Sequence, residues 1–265
     1  MNKPTSLLPA PSDLLRKSFP FQPTLGQADF FVKMDDFFRK PSVEKPVFIL
    51  KGYAGTGKTS LLSAVVKILP RLDLRPLLLA PTGRAAKVMS TYSGRSAFTI
   101  HKIIYKPKGD PGTLGGGFTL QKNYFKDTLF VVDESSMLAD DGGMSGNLLW
   151  DLITYTFSGE GNRLLFVGDT AQLPPVGSQY SPALDAEYLL RHYRLDAEQI
   201  ELVEVMRQKL ESGILFNATS LRNELGSEKA TIQIQTHLFK DIFKMTSEKL
   251  EDGLRYAYSK YGTEN

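Results

Sequence analysis

Short apolar runs alternate along this chain with segments whose apolar residues recur at helical spacing. The runs are Val47–Leu50, Leu77–Ala80, Leu129–Val132 and Arg163–Val167. Runs of this length are typical of strands that are buried on both faces of a sheet. Helical spacing marks Gln27–Arg39, Leu61–Leu69, Thr82–Met89 and Leu148–Phe157. The alternation of strands with helices predicts an α/β fold, in which a parallel sheet carries helices on both faces.

Shifts in composition divide the chain into three parts. Residues 1–24 are rich in proline and predict a lead before the first helix that is irregular or lies over the body of the protein. Residues 25–205 hold the alternating strands and helices, which predict one large domain. Within that domain, residues at about 102–126 are rich in glycine, proline and lysine and predict a small inserted basic arm, either a hairpin or a mobile segment. Residues 206–265 predict a hinge and the helical start of an incomplete second domain.

The segment from Gly52 to Thr59 matches the phosphate-binding pattern G-x-x-x-x-G-K-[ST] without a gap. A predicted strand precedes the segment and a predicted helix follows it, which is the setting that this loop requires. The alternative is a glycine turn that opens an ordinary helix. The match and its setting together predict a nucleotide-binding protein.

Each part of this loop has a predicted contact with ATP. Backbone N–H groups surround phosphate oxygens in such loops, and the helix N-terminus adds partial positive charge. The residues that form the cradle are Gly52, Ala54, Gly55, Thr56 and Gly57. Lys58 is expected to neutralise the β- and γ-phosphates, and the Thr59 hydroxyl is expected to ligate Mg²⁺.

Polar side chains also follow two of the other predicted strands. Asp133 and Glu134 come directly after one strand, and Gln172 lies in the turn after the next. Ligands of open parallel sheets sit outside the carboxyl ends of the strands, so these turns should converge on one crevice with the phosphate-binding loop. Asp133 suits Mg²⁺, Glu134 suits the alignment of the attacking water, and Gln172 suits a contact to the γ-phosphate. The alternatives are an acidic exit from a strand and a polar turn stiffened by prolines.

Composition narrows the class of protein. Hydrophobic residues make up 42% and charged residues 23%, which is typical of a globular protein. No apolar run approaches the length of a bilayer span, and the N-terminus lacks the pattern of a signal peptide. The absence of cysteine excludes disulfides and thiolate metal sites. We therefore expect a cytoplasmic protein without a membrane partner.

Charge is distributed unevenly, although the net charge is only +3. From Arg84 to Lys126 there are eight basic residues and one acidic residue, whereas the next seven charged residues, Asp127 to Glu160, are all acidic. A basic block beside an acidic one fits a polyanion track next to a metal site. A solvated charged face is the alternative.

Six sequence motifs occur in a characteristic order. They are Gly52–Thr59, Ala80–Lys87, Thr99–His101, Val132–Met137, Val167–Pro175 and Val205–Gln208. Together they closely resemble the first half of superfamily 1 DNA helicases of the RecD-like and Dda-like group, over roughly residues 20–225. The resemblance implies a RecA-like P-loop NTPase domain that couples ATP hydrolysis to translocation on single-stranded DNA.

The resemblance also implies roles in nucleotide binding for two further residues. Gln27 resembles the glutamine that hydrogen-bonds the adenine edge, although Thr24 and Gln27 also have the spacing of a helix capping box. Arg207 resembles the arginine that reaches the γ-phosphate from near the interdomain hinge. The alternative for Arg207 is a surface arginine on a helix.

Contacts to single-stranded DNA are implied in the same way. The residues that match the family's strand-contacting motifs are Pro81, Thr82, Arg84, Thr99 and His101. The basic segment 102–126 matches the inserted arm that touches or splits the duplex in such helicases, and its glycine run is a departure from the family pattern.

The largest departure from the family pattern is that the motifs of a second RecA-like domain are not found in this sequence. Helicases of this group need a second RecA-like domain in cis, which supplies an arginine finger worth about 10³–10⁵ in rate. We therefore expect this chain to be an N-terminal fragment that hydrolyses ATP slowly by itself. Two other classes remain open: a stand-alone P-loop NTPase or phosphotransferase acting on RNA or a small molecule, and a nucleic-acid-binding module whose loop is only structural.

Overall fold

The computed structural model describes residues 9–108, 117–140, 147–175, 178, 180–204, 212–225 and 232–262. The chain forms two compact units, Met1–Val205 and Met206–Asn265.

A six-stranded parallel sheet forms the centre of the first unit. Its strands, numbered in chain order, are β1 (Val47–Gly52), β2 (Arg75–Ala80), β3 (Ala97–Thr99), β6 (Thr128–Val132), β7 (Arg163–Gly168) and β8 (Ala197–Leu202). The spatial order is β3-β2-β6-β7-β1-β8. Strand β7 thus lies between β1, which leads into the phosphate-binding loop, and β6, which leads into the acidic pair. The loops after these three strands are therefore neighbours.

Helices cover both faces of the sheet. They are α1 (Pro11–Ser18), α2 (Leu25–Arg39), α3 (Lys58–Ile68), α4 (Gly83–Ser93), α5 (Ile100–Ile104), α6 (Leu148–Phe157) and α7 (Ala186–Tyr193). Successive strand residues point to opposite faces. Phe48 and Leu50 accordingly pack with α1 to α4 in one buried cluster. Val47 and Ile49 pack with α5 to α7 in a second. The predicted RecA-like architecture, a parallel sheet with helices on both faces, is confirmed.

Both edge strands, β3 and β8, were not predicted from the sequence. Strand β8 reads Ala-Glu-Gln-Ile-Glu-Leu, and only Ile200 and Leu202 are buried. An edge strand need not be buried along its whole length, so β8 can carry charged and amide side chains. It therefore lacks the continuous apolar run from which the other strands were predicted. Strand β3 is only three residues long.

The prediction of an irregular N-terminal lead is wrong for residues 11–18. They form α1, which begins with Pro11 in the first turn, a position where the missing N–H of proline costs little. Leu14 and Leu15 are buried, so this helix is part of the core. Residues 1–8 lie outside the described residues.

The base of the predicted arm is a short antiparallel pair of strands, β4 (Tyr105–Pro107) and β5 (Phe118–Leu120). Most of the glycine run, residues 109–116, lies outside the described residues. The Tyr105 hydroxyl donates to Asp151 Oδ2 at 2.6 Å, which ties the arm's base to α6. Whether this segment serves as an arm on DNA stays a prediction.

The second unit contains α8 (Gly213–Leu225) and α9 (Leu250–Tyr261). Asp241 holds the start of α8, since its carboxylate accepts from the Gly213 backbone N–H at 2.8 Å and from the Ser212 hydroxyl at 2.8 Å. Across both units, no helix in the described ranges is long and apolar enough to cross a membrane.

Candidate nucleotide site

The phosphate-binding loop connects β1 to α3 in a conformation that needs its glycines. Gly55 and Gly57 have φ angles of 86° and 90°, which a side chain would strain. A Cβ at Gly57 would also lie 2.5 Å from Gln27 Nε2. Gly57 is the N-cap of α3 and offers no side-chain cap, so the first turn of the helix faces the loop with its N–H groups. This geometry fits the binding of an anion.

The side chain of Gln27 hydrogen-bonds the backbone of the phosphate-binding loop. Its side chain is wholly buried, and Nε2 donates to the carbonyl oxygen of Thr56 at 2.9 Å. Its Oε1 accepts from the Thr24 backbone N–H at 3.1 Å, while the Thr24 hydroxyl accepts from the Gln27 N–H at 3.3 Å. The capping box is thus present, and its glutamine also holds the loop. The contact to adenine stays a prediction.

Lys58 and Thr59 begin α3 side by side. The Lys58 ammonium donates to the backbone carbonyls of Gly52 and of Tyr53, the latter at 3.0 Å, so its charge lies over the loop. Thr59 is exposed at the same helix turn. The contacts of Lys58 to phosphate and of Thr59 to metal stay predictions.

The acidic pair follows the fully buried strand β6. Asp133 Oδ1 accepts from the Glu134 backbone N–H at 2.9 Å, and Oδ2 accepts from the Tyr92 hydroxyl at 2.8 Å. Burial and the Asp133 carboxylate raise the pKa of Tyr92, so the hydroxyl stays protonated and donates. Glu134 has a left-handed backbone with φ of 54°, a strained state that is common at functional sites.

Glu134 has a raised pKa. Burial is the main cause and the Asp133 charge adds to it, whereas the Gln172 amide and the charge of Lys58 act in the opposite direction. A carboxylate whose pKa is shifted toward neutral pH is a better proton acceptor. The shift is therefore in the direction that suits a general base.

Gln172 lies in a turn that is held at both ends. Asp169 is 6% exposed, and its side chain accepts from the Ala171 N–H at 2.9 Å. Gln172 Oε1 accepts from the Ser136 hydroxyl at 3.1 Å. Strand β7 lies between β1 and β6. The turn of Gln172, which follows β7, therefore comes between the loop of the acidic pair and the phosphate-binding loop. The loops that carry Lys58, Glu134 and Gln172 follow three adjacent strands, as predicted, and the Ser136–Gln172 bond joins two of these loops.

The donors that are present fit Mg²⁺ bound together with phosphate. In the part of the chain that the structure describes, no cluster of three His, Asp or Glu side chains could hold a metal unaided. Mg²⁺ on nucleotides is usually held by one or two protein oxygens, with phosphates and water supplying the rest. The hydroxyl of Thr59 and the carboxylate of Asp133 are oxygen donors of this kind.

The predicted DNA contacts lie at the ends of two neighbouring strands. Ala80 of β2 is in register with Thr99 of β3, so the turns after them are adjacent. Thr82 accepts from the Ala85 N–H at 3.2 Å and Thr99 from the Lys102 N–H at 3.3 Å, which makes both threonines helix N-caps. The exposed side chains of this group are Thr82, Arg84 and His101, while Pro81 is partly buried. Their contact to DNA stays a prediction.

Three residues of this site were not assigned a role from the sequence. They are Tyr92, Ser136 and Asp169. Ser136 and Asp169 could have been suspected from the motifs that contain them. Tyr92 carries no local signal, because its partner Asp133 is far along the chain. Arg207 lies outside the described residues.

Fold and site together define a class: a P-loop domain with the RecA-like strand order. A family model described as an AAA domain matches residues 41–237. The chain belongs to this AAA domain family.

Two of the relatives that this chain resembles are DNA helicases. The chain is 33% identical over 177 residues to the ATP-dependent RecD2 DNA helicase of Deinococcus radiodurans, a match that covers 65% of this chain and 21% of that protein. It is 29% identical over 179 residues to the ATP-dependent DNA helicase dda of Enterobacteria phage T4, covering 66% and 37%. The Pif1 helicase structure from Candida albicans aligns with a TM-score of 0.46 and 21% identity, covering 77% of this chain and 44% of that one. The predicted resemblance to the RecD-like and Dda-like group is confirmed, and the chain spans less than half the length of each of these relatives.

Proposed function

We propose that this chain is the ATP-binding half of an ATP-dependent DNA helicase, which couples ATP hydrolysis to translocation along single-stranded DNA. The observation that carries the proposal is the hydrogen bond from the Ser136 hydroxyl to Gln172 Oε1 at 3.1 Å, which joins the loop after β6 to the loop after β7. Glu134 suits the alignment of the attacking water, and Gln172 suits a contact to the γ-phosphate. Because the Ser136–Gln172 bond joins the two loops, loss of that phosphate acts on both of them.

The chemistry of the site is positioning and charge neutralisation, which is what phosphoryl transfer to water needs. Lys58 exchanges the carbonyls of Gly52 and Tyr53 for the β- and γ-phosphate oxygens of ATP. Thr59 and Asp133 would hold Mg²⁺, which would neutralise phosphate charge. Glu134 orients the water and accepts its proton.

The proposed DNA track begins at the adjacent turns after β2 and β3. Its members at those turns are Pro81, Thr82, Arg84, Thr99 and His101, and the lysines of segment 102–126 extend it. Support comes from the exposure of three of these side chains and from the helicase relatives. Phosphate contacts from such basic surfaces supply most of the affinity for nucleic acid.

We further propose that the working enzyme includes a second RecA-like domain in cis, with Arg207 reaching the γ-phosphate from the hinge. That domain would supply the arginine finger, so this chain alone hydrolyses ATP slowly. A cytoplasmic location belongs to the same proposal and fits the absence of cysteine.

The test is ATP hydrolysis with and without nucleic acid. It is measured on this chain and on a version extended by the second domain, where the gene encodes one. We expect slow basal hydrolysis and clear stimulation of the extended protein by a poly-dT oligonucleotide. Stimulation by single-stranded RNA alone, or ATP turnover that no polynucleotide alters, would support the stand-alone NTPase or phosphotransferase instead.

A further inference from the structure

Tyr92 touches the acidic pair from a helix that carries none of the predicted nucleotide contacts. It lies near the end of α4, and its hydroxyl donates to Asp133 Oδ2 at 2.8 Å. The other carboxylate oxygen accepts from the backbone N–H of Glu134 at 2.9 Å. Each oxygen of Asp133 therefore has one protein donor and keeps a further lone pair for another ligand.

The tyrosine is itself held in place. Its carbonyl oxygen accepts from the Ser63 hydroxyl of α3 at 3.1 Å, so the helix that begins at Lys58 also fixes the position of Tyr92. Its ring packs against the buried cluster on that face of the sheet. A donor fixed from two sides can hold its acceptor in one orientation.

Asp133 needs such a donor. The terminal torsion of an aspartate is broad, so the plane of its carboxylate is set by its partners and not by a rotamer preference. Removal of Tyr92's hydroxyl leaves the Glu134 N–H as the remaining donor shown on that carboxylate. Partners of metal-ligating carboxylates typically change metal affinity or activity by about 10–100-fold when they are removed.

We propose that Tyr92 is a positioning residue, whose hydroxyl orients the Asp133 carboxylate for Mg²⁺ on the bound nucleotide. This role rests on the proposed function, since it requires Asp133 to serve as a metal partner. It places a determinant of metal affinity on α4, the helix that begins at the proposed DNA contacts Thr82 and Arg84. A purely structural hydrogen bond that ties α4 to β6 would leave metal affinity unchanged.

The experiment is a calorimetric titration of ADP at a series of Mg²⁺ concentrations, which needs no turnover. We expect Tyr92→Phe to bind ADP without metal as the wild type does. The Mg²⁺ concentration that produces half of the metal-dependent gain in ADP affinity should rise by about tenfold. Tyr188→Phe is the matched control, because it removes a tyrosine hydrogen bond to Asp140 outside the nucleotide site.

A double substitution tests whether the effect passes through Asp133. In an Asp133→Asn background, Tyr92→Phe should produce no further shift, since coupled residues are not additive. A further shift there, an equal shift in Tyr188→Phe, or a midpoint within about twofold of the wild type would overturn the positioning role. Loss of metal-free ADP binding in Tyr92→Phe would also overturn it, because the tyrosine would then support the whole site. A wild-type protein that binds no ADP, or binds it without response to Mg²⁺, would instead overturn the proposed function, and this role with it.

Discussion

Gln27 donates from its side-chain Nε2 to the backbone carbonyl of Thr56 at 2.9 Å, so the start of α2 and the phosphate-binding loop are joined directly. Both groups are buried. A buried carbonyl that loses its donor costs about 1–3 kcal/mol. The bond therefore stabilises the loop before any nucleotide arrives, and it places the residue predicted to read adenine against the residues predicted to hold phosphate.

We expect Gln27→Ala to destabilise the protein by about 1–3 kcal/mol, because Thr56 would keep a buried, unsatisfied carbonyl. In a domain of this size that corresponds to a Tm lower by about 2–4 °C for each kcal/mol. Thermal unfolding without nucleotide measures it. Asp29→Ala, an exposed change in the same helix, is the control and should leave Tm nearly unchanged. Equal shifts in both variants would contradict the bracing role of Gln27.

Lys58→Ala should weaken ATP binding by at least about tenfold, since hydrogen bonds to charged groups contribute about 1.5–3 kcal/mol. The phosphates would lose their main counter-charge. Calorimetry with ATP gives the dissociation constant, and Lys67→Ala, exposed on the same helix, is the control. An unchanged dissociation constant in Lys58→Ala would refute the assignment.

The parts of the site that could be predicted are those with a local pattern. Glycines at Gly55 and Gly57 are needed by the backbone of their own loop, so the motif alone identifies the cradle. One topological rule predicts that the loops of Glu134 and Gln172 are close to each other: the carboxyl ends of parallel strands lie at the same edge of the sheet. Tyr92 could not be found, because its bond to Asp133 depends on how α4 packs, which no local spacing records. Strand β8 was missed for a related reason: its neighbours in the sheet, not its own polar sequence, make it a strand.

Glu134→Gln should separate binding from turnover in the complete enzyme. The amide keeps the size of the side chain but cannot accept the proton of the attacking water. Loss of a general base costs about 10²–10⁴-fold in rate, so we expect ATP binding with little hydrolysis. Single-turnover hydrolysis beside a binding titration measures both, and near-normal hydrolysis would rule out Glu134 as the water-positioning group.

The same substitution should stabilise the protein at neutral pH. Burial and Asp133 raise the folded-state pKa of Glu134 above its unfolded value, so the stability that this group contributes is present at low pH and is lost as pH rises through the folded pKa. A glutamine side chain does not ionise, so the variant does not lose this stability as the pH rises. Without nucleotide or metal, we expect Glu134→Gln to have a higher Tm than the wild type at pH 7, and the difference to shrink toward pH 4.

Glu160→Gln is the control for that pH dependence. Its hydrogen bond and ion pair with Lys126 lower the pKa of Glu160, which is the opposite direction, so this substitution should give no gain at pH 7. A gain in Glu160→Gln, or a Glu134→Gln gain that is the same at both pH values, would contradict the explanation by burial.

Binding of single-stranded DNA should depend steeply on salt if the basic surface around α4 is a phosphate track. Each phosphate contact removed lowers the slope of log affinity against log salt by about 0.7 for single strands. Arg84→Ala should therefore bind a labelled poly-dT oligonucleotide with a slope reduced by about that amount between about 50 and 200 mM salt, measured by fluorescence anisotropy. Arg71→Ala removes an exposed arginine outside the proposed track and should leave the slope unchanged. A flat wild-type affinity over this range would exclude a phosphate track, whereas equal losses in both variants would show that only the total positive charge matters.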